Sequence, residues 1–178
     1  MNPAGPPYLL AALRQEVRAE DHLFHLVDTA APRTGDPDDQ PPTPERGTLA
    51  TVGAGAATLN SALADHYPDV TLELWSGQPP DLAGPPADHI RLAVALDGGR
   101  LALCSGVSHL PAPRHLTVPP GRYNLDAWRS APTDTRRPVG AEAIPHSAEH
   151  WLLRLWLSST PGRDDSSLLD PGSTRPRL

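Results

Sequence analysis

Apolar and polar positions along this chain mostly alternate in short runs, which is the period of strands and not of long helices. Val70-Thr71-Leu72-Glu73-Leu74-Trp75 alternates cleanly and sets Val70, Leu72 and Leu74 on one inward face. Pro119-Pro120-Gly121 forces a turn, and the strand predicted after it places Tyr123, Leu125 and Ala127 on one face and Asn124, Asp126 and Trp128 on the other. Glu149 to Leu157 is short, apolar and aromatic, and predicts a buried closing strand. These last two stretches hold three of the four tryptophans, so the core is expected around them.

Leu23–Val27 and Thr48–Val52 add two more strands. Ile90–Leu96, Asp97-Gly98-Gly99 and Arg100–Leu103 predict two strands joined by a hairpin turn. Leu9, Leu10, Leu13 and Val17 fall at helical spacing, with Arg14, Gln15, Glu16 and Arg18 opposite, and predict a short N-terminal helix within residues 1–20. Residues 56–67 stay open between helix and strand: Leu59, Ala62, Leu63 and His66 have helical spacing, but glycine and proline flank them. The organisation expected is an N-terminal helical segment (1–20), a sheet domain (21–158) and a disordered tail (159–178), with a flexible loop over 30–46 and a polar loop over 130–148. The fold class expected is all-β, an antiparallel β-sandwich of roughly seven to nine short strands.

Composition sharpens this picture. A chain of 178 residues suits one domain, and its 23 prolines and 14 glycines argue against long helices. The net charge is −6, and no basic run exceeds Arg136-Arg137, so no nucleic acid and no anionic membrane is expected as partner. All fifteen basic residues are arginine. The single cysteine, Cys104, sits in an apolar run as a small core residue. Tyr8–Leu13 is too short for a signal-peptide core and no apolar run reaches membrane-spanning length, so a cytoplasmic location is expected.

The ordered series Val70–Trp75, Pro79-Pro80-Asp81, the expected hairpin, Val118–Tyr123 and Trp151–Trp156 resembles a family of uncharacterised bacterial β-sandwich proteins. More distantly, over about residues 20–157, it is similar to competence protein J, the small inhibitor of a DNA-entry nuclease. The first resemblance implies a fold and no activity; the second implies a non-enzymatic inhibitor, with no inhibitory residue carried over to a position here.

Four patterns carry candidate chemistry. His146-Ser147-Ala148-Glu149-His150 matches the His-x-x-Glu-His zinc pattern, which needs a helix and a downstream acidic ligand; no glutamate follows Glu149, so no metal is expected. Gly53-Ala54-Gly55-Ala56-Ala57 after an apolar strand resembles a loop for a dinucleotide or S-adenosylmethionine, with Glu73 placed to hold a ribose. Thr58 stands where the third glycine belongs, and a turn between two sandwich strands explains the same residues. Gly106-Val107-Ser108-His109 begins like a nucleophile elbow without its closing glycine, and Asp36, Asp38 and Asp39 fit no calcium loop.

The reading that results is a protein without catalytic residues, cofactor or metal that binds another protein, inhibitor- or immunity-like. Its expected binding residues are Trp75, Asp126, Trp128 and Arg129, with Trp156 and Arg154 as further members of an aromatic and arginine surface. The alternative is a small methyltransferase using the Gly53–Gly55 loop.

Overall fold

The computed structural model describes residues 5–32, 42–45, 47–82, 88–105, 114–132, 144 and 146–158. They form ten strands: β1 (Leu9–Glu16), β2 (Leu23–Asp28), β3 (Ala50–Gly53), β4 (Ala56–Asn60), β5 (Tyr67–Trp75), β6 (Asp88–Leu96), β7 (Arg100–Cys104), β8 (His115–Thr117), β9 (Gly121–Arg129) and β10 (His146–Leu157). A front sheet runs β1-β5-β10-β9-β6 and a back sheet β3-β4-β2-β7-β8. One apolar core lies between them, with Leu72, Leu125, Leu153 and Leu155 from the front and Phe24, Leu26, Leu59 and Leu103 from the back. Trp151 meets Phe24 edge-to-face at 5.3 Å across that core.

The two-sheet, all-β class matches the alternating pattern. Two expectations are corrected, and one reading left open is settled. Residues 9–16 form an edge strand and not a helix, because pairing with β5 supplies their backbone partners and only Leu13 of this strand is fully buried. Among the described residues there is no helix at all. Residues 56–60 are strand β4, paired with β2 and β3, so tertiary pairing overrides their helical spacing.

The second correction concerns the 90–103 hairpin. β6 pairs with β9 and β7 pairs with β2 and β8, so Asp97-Gly98-Gly99 carries the chain from one sheet to the other. The anchor of this crossing is Asp28, buried at the end of β2. Its Oδ2 accepts from the amides of Gly98 (2.7 Å) and Gly99 (2.9 Å), and its Oδ1 from those of Arg100 (3.1 Å) and Ala30 (3.2 Å). Gly99 has φ +71°, and a Cβ there would lie 2.3 Å from the Val118 carbonyl oxygen.

The closing stretch is the central strand of the front sheet. β10 pairs antiparallel with β9 and parallel with β5, the one parallel pairing among the described strands. Its inward residues Trp151, Leu153 and Leu155 are buried, as its apolar composition requires. The Pro119-Pro120-Gly121 turn is closed by the buried Tyr123, whose hydroxyl donates to the Pro119 carbonyl at 2.6 Å. Residues 33–41, the Gly106–His109 motif and the 159–178 tail lie outside the described residues.

Candidate functional site

Alternation along β9 sends Tyr123, Leu125 and Ala127 into the core and Asn124, Asp126 and Trp128 to the outer face of the front sheet, as the sequence pattern predicts. Register then decides what surrounds them. One row across the sheet holds Glu73, Arg154, Asp126 and Arg91, one from each of four neighbouring strands, with charges alternating in sign. The next rows hold Trp75, Trp156 and Asn124 on one side, and Leu152, Trp128 and His89 on the other.

Asp126 is the hub of this face. Although on an outer face it is fully buried, because Arg91, Arg154 and His89 fold over it. Its carboxylate accepts from Arg91 Nε (2.8 Å) and Nη2 (3.2 Å) and from Arg154 Nη2 (3.1 Å), and His89 Nε2 lies 3.0 Å away. Burial pushes this carboxyl up, but the bonds from Arg91 and His89 outweigh burial and hold it down at about 2. Arg154, itself buried, also donates from Nη1 to the Pro80 carbonyl at 2.7 Å, so the segment after Trp75 is tied across the sheet.

The aromatic rings are held by this ion network. His89 stacks on Trp128 with centroids 3.8 Å apart, and the Arg154 guanidinium lies 5.4 Å from the same ring. Arg91, whose side chain is 42 % exposed, covers Trp156 at 5.1 Å. Trp75 donates its indole N–H to Glu73 at 2.8 Å. Trp75 and Trp128 are half-buried, and the indole N–H of Trp128 and Nε of Arg154 find no acceptor among the described residues.

Of the four residues picked from the sequence, Trp75, Asp126 and Trp128 share this face. Arg129 points the other way: it binds Asp88 through Nε (3.1 Å) and Nη2 (2.6 Å), donates from Nη1 to the Asn60 carbonyl (2.8 Å), and lies over Trp151. It bridges the two sheets. The sequence does not single out His89 and Arg91, because the Asp97-Gly98-Gly99 turn predicts β7 and not β9 as the partner of β6. The signal was there in Arg91, an arginine at every-other spacing inside an apolar strand.

The other motifs take different shapes. His146–His150 lies in β10 with a register irregularity, not in a helix. His146 Nδ1 sits 3.0 Å from Glu16 and stacks on Tyr67, while His150 Nδ1 sits 3.4 Å from Asp69. Glu149 is buried and accepts from the Ser61 hydroxyl (3.1 Å), the Ala62 amide (2.9 Å) and the Trp151 indole N–H. His66 Nε2 lies 3.3 Å from the same Ser61 hydroxyl. The Ser61 hydroxyl stands between this carboxylate and the imidazole and ties the segment after β4 to β10 across the two sheets. Gly53-Ala54-Gly55 is the turn of the β3–β4 hairpin, with Gly53 paired to Ala56. A cofactor loop needs a strand entering a helix there, and the methyltransferase reading fails on that geometry.

These features define an all-β protein of two five-stranded sheets with an aromatic and arginine-bearing outer face. No family model and no curated protein sequence matches the chain. Among solved structures it is similar to ComJ, inhibitor of the DNA degrading activity of NucA, from Bacillus subtilis, with TM-score 0.55 and 9% identity, over 86% of this chain and 100% of that one. It is also similar to the crocagin biosynthetic gene J protein, with TM-score 0.54 and 17% identity, over 83% of this chain and 97% of that one. The distant likeness to ComJ expected from the sequence is therefore present in the fold.

Proposed function

We infer that this chain is a non-enzymatic, inhibitor-like β-sandwich protein that binds another protein through the outer face of its front sheet. The observation that carries the reading is the fixed stack of Trp128, Trp156, Arg91 and Arg154 around the buried Asp126. The half-buried Trp128 indole and the part-exposed Arg91 guanidinium, held in place over the buried Trp156 and Arg154, lose little conformational freedom on binding, the property of interface anchors. The fold it shares with ComJ, itself an inhibitor of a DNA-degrading activity, supports an inhibitory role for a protein partner. Trp75 and Trp128 contact the partner, and Asp126 positions the cations between them.

The test is capture from lysate of the source cell with the full chain and with Trp128→Ala, both checked for intact folding. A partner retained by the parent and lost from the variant supports the reading. An identical set of captured proteins for the two chains removes it.

A further inference from the structure

The front sheet ends at β1, and the outer edge of that strand differs from the other sheet edges. β3 and β8, at the back-sheet edges, are only four and three residues long, and β6 carries Asp88, His89 and Arg91. β1 is eight residues long, and its run Tyr8–Leu13 has no charge. Tyr8, Leu9 and Leu10 are 63 %, 46 % and 51 % exposed. Sheet edges are normally guarded by charge, proline or irregularity, and an apolar edge without charge is a pairing site.

The backbone directions show which groups are open. Val17 donates to Pro68 next to β5, whereas the Arg14 carbonyl faces away and accepts from Arg114 Nη1 at 3.0 Å. Ala12, two residues before Arg14, shares that outward side. Tyr8 is held extended by two bonds to Ser76, its amide to the hydroxyl and its carbonyl to the amide, both at 3.0 Å. Arg114 therefore closes the edge at Arg14, and before it the outward backbone groups of Ala12 are left open among the described residues, in a run that is held extended and is irregular only between Leu9 and Ala11.

We propose that this edge is a self-association site: two copies of the chain pair antiparallel through Tyr8–Leu13 and join their front sheets. A two-fold axis near Ala11 lays the uncharged run on itself, so no like charges are opposed. Arg14, just past the run and already bound to Asp69, comes beside the uncharged Tyr8 of the second copy. The exposed parts of Tyr8, Leu9 and Leu10 offer roughly 300 Å² per chain, well below the roughly 800 Å² per partner of a standard interface. The pair is therefore reversible and concentration-dependent. This edge is separate from the face carrying Trp128.

Sedimentation equilibrium on the full chain over a wide concentration range tests it, together with Leu10→Lys and Trp128→Ala. The parent and Trp128→Ala should pass from monomer to dimer as concentration rises, with slower hydrogen exchange at the Ala12 amide in the dimer. Leu10→Lys should stay monomeric with unchanged thermal unfolding, since Leu10 is an exposed side chain. A parent chain that stays monomeric throughout, or a dimer that survives Leu10→Lys with the Ala12 amide unprotected, overturns the proposal.

Discussion

Replacing Asp28 by alanine removes the one carboxylate that receives four backbone amides, those of Ala30, Gly98, Gly99 and Arg100. Gly99 is buried, so its N–H is left without water or partner, at a cost of about 1–3 kcal/mol. The other three amides sit nearer solvent and lose a charge-assisted bond for a bond to water, roughly 1 kcal/mol each. The sum is about 4–6 kcal/mol, a large part of the 5–15 kcal/mol typical of a domain. In urea, with a slope of about 2 kcal/mol per molar, the midpoint should fall by about 2–3 M at unchanged slope. A fall of under about 0.5 M would refute the idea that Asp28 holds the crossing between the sheets.

The same group gives a pH dependence of known sign. Burial raises the Asp28 carboxyl, but the amides of Arg100, Gly99, Gly98 and Ala30 outweigh it and hold it below its ordinary 3.8. Its stabilisation is therefore complete above that value and lost as pH falls through the lower value of the folded state. Asp28→Asn should lose this part of the acid-induced destabilisation, which a pH series of urea midpoints would show.

Two further substitutions probe the same framework. Gly98→Ala and Gly99→Ala should each destabilise by at least about 1–3 kcal/mol, because a Cβ would lie 2.2 Å from the Ala30 carbonyl carbon or 2.3 Å from the Val118 oxygen; unchanged urea midpoints would contradict this. Asp126→Ala strands the buried guanidinium of Arg154 and should cost about 3–5 kcal/mol. The double variant Asp126→Leu, Arg154→Met should recover most of that loss in thermal unfolding, and failure to recover would mean that the pair is not the source of the cost.

Faces were easier to read from the sequence than partners. The assignment of Tyr123, Leu125 and Ala127 to the core and of Asp126 and Trp128 to the outside needed only the two-residue period of β9, which is local. The partner of β6 was not local: two apolar strands around Asp-Gly-Gly look the same whether the turn folds them together or sends them to opposite sheets. Asp28, which makes the difference, lies 70 residues away from Gly98 in the chain. β1 failed for a related reason. Leu9, Leu13 and Val17 satisfy a helical period by spacing alone, and the open backbone of β5 settles the matter instead. The sequence alone reads Asp126 as an acidic neighbour of Trp128 on the outer face, but its burial depends on Arg91 and Arg154, which register and not sequence spacing brings beside it.

The most direct measurement is the affinity of the captured partner for the parent chain and for Trp128→Ala, by isothermal titration of the purified pair. The outer-face reading predicts a loss of roughly 2 kcal/mol, about a thirtyfold weaker Kd, with the fold intact. Equal affinity for the two chains would contradict it and place the binding surface elsewhere on the molecule.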